Sequence, residues 1–144
     1  MTTNAETAPP PPKKILVVDD NDLIVKTISV KLKSAGFQVF TALEGAEAVA
    51  LVRKQNPDLI VLDISFPPDV AGVPWDGFRI MDWLHRVDES KRIPIIVITS
   101  GTGEKDKEHA LAAGAVGFLQ KPIDHDELLK LVRASLAAAA TVAK

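Results

Sequence analysis

The stretch ILVVDDND, residues 15–22, decides how the rest of the chain is read. Its first four side chains are all branched and apolar, the length and composition of a strand buried on both faces of a parallel sheet. Asp19 and Asp20 end the run, and after Asn21 an amphipathic stretch with helical spacing covers 22–34. Strand, acidic turn, helix is the opening of a βα unit.

Working outward, the same alternation recurs. Short runs rich in Val and Ile stand at 39–42, 59–62, 95–98 and 116–119, and amphipathic stretches at 46–55, 78–86, 105–113 and 124–140. Gly36, Asn56-Pro57 and Gly114 are residues that stop or cap helices. Asp124, with Glu127 three residues on, has the pattern of a helix N-terminus. Five strands alternating with five helices predict a doubly wound α/β sandwich on a parallel sheet. Residues 64–76 hold the one long connection, with Pro67, Pro68, Gly72 and Pro74 too close together for a regular element.

The expected organisation is a disordered proline-rich tail over 1–13, one domain over 14–140 and a frayed end over 141–144. The tail ends in four prolines, so a ligand for a proline-reading domain is the alternative to a plain linker. The chain has 144 residues, 47% of them hydrophobic, enough to bury a real core. No apolar run nears the roughly 18 residues of a membrane span, and no secretory signal opens the chain. Zero cysteines exclude disulfides and thiolate metal sites, which fits a cytoplasmic protein. A net charge of −2 without a Lys/Arg cluster argues against direct nucleic-acid binding.

In an open α/β sheet, ligands bind beyond the carboxyl ends of the strands, near the point where strand order reverses. Asp19 and Asp20 follow the first strand, Asp63 the third, Thr99 and Ser100 the fourth, and Lys121 the fifth. The second strand leads only into Leu43, Glu44 and Gly45, which places it at the sheet edge. That suggests the order 2-1-3-4-5 with strands 1 and 3 flanking the site, which is the known order of flavodoxin-like sheets. Three carboxylates at one sheet end repel, at about 4 kcal/mol for two charges about 4 Å apart at an effective dielectric of about 20. A cation relieves that repulsion, and an all-oxygen donor set suits Mg²⁺ or Mn²⁺. The three acids and Lys121 sum to −2, which one divalent ion neutralises.

These residues resemble the receiver domain of response regulators, of the chemotaxis type, over about residues 14–139. ILVVDDND matches the family's acidic pair, LIVLDI its phosphoacceptor strand, IPIIVITSG its hydroxyl residue and AVGFLQKP its lysine-proline signature. Each is weak alone; four in order, each at a strand end, are specific. The resemblance implies that Asp63 accepts a phosphoryl group and that Asp20 ligates the metal directly and Asp19 mainly through water. It adds the main-chain carbonyl of Ser65 as a ligand, with Lys121, Thr99 and Ser100 contacting the phosphoryl oxygens. Phe118 is the switch aromatic, and Lys121-Pro122 is a candidate cis peptide. Implied partners are a histidine kinase or histidine phosphotransfer protein upstream and a protein target downstream, met by the face of the fourth helix, fifth strand and fifth helix. A phosphorylation-dependent dimer is left open, and no membrane or nucleic-acid partner is implied. Because the chain ends after the fifth helix, the expectation is a stand-alone receiver that catalyses only its own phosphorylation and dephosphorylation.

Two features depart from the family pattern. Asp76-Gly77 arrives about six residues late after Asp63, a longer connection than most, and Phe118 stands where tyrosine is common. Two rival functions stay in view. One is a phosphorylation-independent scaffold on the same fold, which the loss of any site residue would have favoured. The other is a haloacid-dehalogenase-like phosphatase with Asp20 as nucleophile and Asp22 as acid, which has the spacing but lacks a late acidic pair. A flavodoxin-like nucleotide binder would need a Ser/Thr/Gly-rich loop after the first strand. His85, His109 and His125 read as surface residues, Trp75 and Trp83 as packing residues, and Lys26, Lys31 and Lys33 as a solvated face.

Overall fold

A computed structural model describes residues 12–64, 77–86, 93–99 and 104–142. Ten elements alternate: β1 (Lys14–Val18), α1 (Asp22–Ser34), β2 (Gln38–Ala42), α2 (Gly45–Gln55), β3 (Leu59–Asp63), α3 (Gly77–Arg86), β4 (Ile95–Thr99), α4 (Glu104–Ala112), β5 (Gly117–Gln120) and α5 (His125–Val142). The strands form one parallel sheet in the expected order β2-β1-β3-β4-β5.

The period-2 alternation of the strands builds two cores, one on each face of the sheet. Leu16, Val18, Ile60, Leu62, Ile95 and Val97 face α2, α3 and α4 through Ala48, Val52, Ile80, Met81, Leu84 and Ala110. Ile15, Val17, Leu59, Val61, Ile96 and Ile98 face α1 and α5 through Val25, Ile28, Leu32, Leu128 and Val132. Because β1, β3 and β4 are covered on both sides, their apolar runs are continuous rather than alternating.

Local signals set the helix boundaries. Asn21 caps α1, its side chain accepting from the N–H groups of Leu23 and Ile24, and Asp124 caps α5, accepting from Asp126 and Glu127. Gly36 and Gly114 have φ of 99° and 107°, the left-handed conformation that lets Phe37 N–H reach Leu32 and Ala115 N–H reach Ala110. Asn56, at φ 48°, ends α2 ahead of Pro57. The fifth strand starts one residue later than its apolar run suggests: Val116 is half exposed and only its N–H, donating to the Ile95 carbonyl, joins the sheet. Residues 1–11 of the expected tail (1–13) and residues 65–76 of the long connection (64–76), with Trp75, lie outside the described residues.

Trp83 packs against the α2–α4 core with the Arg53 guanidinium 5.3 Å above its ring, a cation–π contact that joins α2 to α3. His109 is exposed and His125 half-buried, while the side chain of His85 lies outside the described residues. Lys26 pairs with Asp22 on the open face of α1. Lys31 departs from the solvated-face expectation: it is only 33% exposed and pairs with Asp126 of α5 at 2.8 Å.

Candidate functional site

The strand ends converge as the topology dictates. Asp19, immediately after β1, is fully buried; Asp63, the last residue of β3, and Thr99, the last of β4, are each 1% exposed. Asp20 lies beside them but faces solvent. Carboxylate oxygens of Asp19, Asp20 and Asp63 all fall within 4.8 Å of one another. From the end of β5, Lys121 brings its ammonium to 2.8 Å from Asp19 Oδ2 and 3.3 Å from Asp63 Oδ2. The Lys121-Pro122 peptide is cis, and the Lys121 N–H donates to the Thr99 carbonyl at 2.8 Å. Phe118, in the middle of β5, is half-buried against the α2–α4 core and pairs in register with Val97.

One lysine serves two buried carboxylates, and a third lies within reach. Burial pushes the Asp19 carboxyl above the usual range; the Asp63 charge adds to this, against the pull of Lys121 and of the Asn21 N–H. Burial also disfavours the Lys121 ammonium, but the contact with Asp19 and the charges of Asp63 and Asp19 outweigh it and raise its pKa. Asp19 Oδ2 lies 2.8 Å from the Lys121 ammonium but receives no well-directed hydrogen bond. A buried carboxylate oxygen in that condition, inside a cluster of three acids, is what a hard divalent cation fits. The donor set, oxygen only and partly open to water at Asp20, suits Mg²⁺ or Mn²⁺.

The structure thus brings together Asp19, Asp20, Asp63, Thr99 and Lys121, while Ser65 and Ser100 lie outside the described residues. Two supports were not foreseen. The Asp19 N–H donates to the Ala42 carbonyl at the end of β2, and the Asn21 N–H donates to Asp19 Oδ1 at 2.9 Å. Main-chain donors and acceptors carry no residue-type signal; only the proximity of Asn21 to the acidic pair hinted at the second. The phosphatase arrangement fares poorly: Asp22 sits in the first turn of α1, 61% exposed and paired with Lys26 at 3.0 Å.

Comparison with known proteins agrees with this geometry. The family model of the response regulator receiver domain matches residues 15–133. Protein PilH of Pseudomonas aeruginosa is 36% identical over 119 residues, which cover 83% of this chain and 93% of PilH. The DNA-binding regulator RpaA of Synechocystis is 35% identical over 118 residues, and the chain spans only 46% of its length. The crystal structure of chemotaxis protein CheY4 from Vibrio cholerae superposes with a TM-score of 0.76 at 33% identity, covering 86% of this chain and 98% of that one.

Proposed function

The chain belongs to the response regulator receiver family, and from that membership we propose that Asp63 is its phosphoacceptor. Signalling through phosphorylation is the work of this family, with a histidine kinase or phosphotransfer protein upstream and a protein target downstream. The observation that carries the assignment of Asp63 is the cluster itself: three carboxylates within 4.8 Å, with Lys121 reaching both buried ones.

In the reaction, a carboxylate oxygen of Asp63 attacks phosphorus and an O–P bond forms. The bond from phosphorus to the donor nitrogen breaks, and the departing imidazole keeps that electron pair and takes up a proton. Asp20 and Asp63 would hold Mg²⁺ directly, Asp19 through water, with the Ser65 carbonyl completing the protein's share. Bound there, the ion would offset part of the negative charge of the phosphoryl oxygens. Lys121 neutralises a second part of that charge, a charge-assisted contact, and Thr99 donates its hydroxyl. Little covalent chemistry is asked of the protein; positioning and charge compensation do the rest.

The added charge at Asp63 then biases the face made by α4, β5 and α5 by a few kcal/mol at most. Thr99 belongs to the site and Phe118 to β5, and Leu111 of α4 and Val116 just before β5 are exposed apolar side chains. For the upstream partner, α1 offers Leu23, 69% exposed, next to the acidic turn. None of the helices among the described residues is long and apolar enough to cross a membrane; with the lack of cysteine, this supports work in the cytoplasm.

Incubation with acetyl phosphate, with and without Mg²⁺, tests the assignment by mass. The expected result is one added phosphoryl group that needs the metal and is absent from Asp63→Asn. An adduct that survives in Asp63→Asn and vanishes in Asp20→Asn would transfer the nucleophile's role to Asp20.

A further inference from the structure

The turn carrying Asp19 and Asp20 is fastened at both ends, and we propose that Asn21 is the positioning residue that keeps the Asp19 carboxylate aimed for the metal. The inference rests on the reading of Asp19, Asp20 and Asp63 as a metal site. Asp19 is fully buried, so water does not average its orientation; its neighbours set it. The bond from its N–H to the Ala42 carbonyl fixes its backbone but leaves the side chain free to rotate. Two contacts fix that side chain: Lys121 beside Oδ2, and the Asn21 N–H donating to Oδ1 at 2.9 Å.

The second contact lasts only while residue 21 holds its extended backbone, φ −91° and ψ 108°. Asn21 is exposed, so burial does not hold it there. Its own side chain does: Oδ1 accepts from the Leu23 N–H at 3.0 Å and the Ile24 N–H at 3.3 Å, locking the residue as the cap of α1. One side chain therefore ties the start of α1 to the direction of a carboxylate two residues back. When that acceptor is lost, the turn gains other conformations in which the residue-21 N–H points away. Asp19 Oδ1 then loses its donor and the carboxylate swings further toward Lys121, away from the ion. Orienting partners of this kind are commonly worth a tenfold change or more in metal affinity.

The test is titration with Mn²⁺ alone, reading the free ion by electron paramagnetic resonance, on the full chain. Four proteins are compared: wild type, Asn21→Ala, Asn21→Ser, which keeps a capping oxygen, and Val30→Gly, which loosens the same helix at an exposed position away from the turn. The expected result is a roughly three- to tenfold weaker affinity in Asn21→Ala, recovery in Asn21→Ser and no change in Val30→Gly. Equal affinities in Asn21→Ala and wild type would overturn the proposal, as would an equal loss in Val30→Gly, which would make the effect one of helix stability. Failure of the wild type to bind Mn²⁺ would instead overturn the metal-site reading beneath it.

Discussion

The two ends of the sheet pair lysine with aspartate in opposite ways. At the end where the strands begin, Asp58 and the main chain of Lys14 exchange two hydrogen bonds. The Asp58 N–H donates to the Lys14 carbonyl at 2.7 Å, and Asp58 Oδ2 accepts from the Lys14 N–H at 2.7 Å. The Lys14 ammonium goes on to the Gln55 carbonyl at the end of α2. At the end where the strands finish, Lys121 is shared by two buried carboxylates with a third within 4.8 Å. At one end the aspartate closes main-chain hydrogen bonds; at the other, among the described residues, three carboxylates cluster around one ammonium. Unrelieved charge costs stability, and a domain keeps it where a ligand supplies the remainder.

The largest effect expected on stability comes from removing the shared lysine. Lys121→Met removes the ammonium that both Asp19 and Asp63 contact, and the metal-free protein should lose about 3 kcal/mol by urea denaturation. Added Mg²⁺ should recover more of that loss than it adds to the wild type. If Mg²⁺ fails to do so, the two ends are alike and the three carboxylates do not hold the ion.

Next in size is a pair of substitutions of opposite sign. Asp58→Ala leaves the half-buried Lys14 N–H without a partner and should cost about 1–2 kcal/mol, with phosphorylation unchanged. Asp58→Asn, which keeps the acceptor, should cost less. Asp19→Asn removes a carboxylate that burial already disfavours as a charge, and should stabilise the metal-free protein by up to about 1 kcal/mol while weakening metal binding. Denaturation midpoints of the three variants without metal check the contrast. Destabilisation by Asp19→Asn would mean that the contact with Lys121 outweighs the burial and repulsion set against it.

The sequence carries the functional end of this comparison better than the structural one. Asp19, Asp63, Thr99 and Lys121 could be placed because each follows an apolar run whose period and length identify a strand, and strand ends in such a sheet lie together. The edge place of β2 was suggested by the same logic, since no acidic, hydroxyl or lysine pattern like theirs follows it. Nothing local marks Asp58 as the partner of Lys14, 44 residues away, because an isolated aspartate before a strand has many uses. The supports of Asp19 were hidden for a related reason: the Ala42 carbonyl and Asn21 N–H belong to the main chain, which every residue has. The start of β5 was displaced because Val116 has strand-like chemistry but stands on the surface. Lys31 looked solvated because its partner, Asp126, lies 95 residues on and meets it only when α1 and α5 pack on the same face.

That pair, between α1 and α5 on one face of the sheet, gives the smallest effect and a baseline for the others. Lys31 holds the Asp126 carboxyl below the ordinary aspartate value, first by their hydrogen bond and then by its charge. The folded protein therefore binds the proton less readily than the unfolded chain does. The pair's contribution is present above the unfolded pKa of about 4 and is lost as pH falls through the lowered folded value. Asp126→Asn should lower Tm slightly at neutral pH, and the gap should close in acid and shrink in high salt, since Asp126 is fully exposed. Asp126 also lies in the first turn of α5, where any negative charge is favoured by the helix dipole. Repeating the comparison in a Lys31→Met background separates the two sources: a gap that vanishes there belongs to the bridge between α1 and α5, and one that survives belongs to the helix terminus.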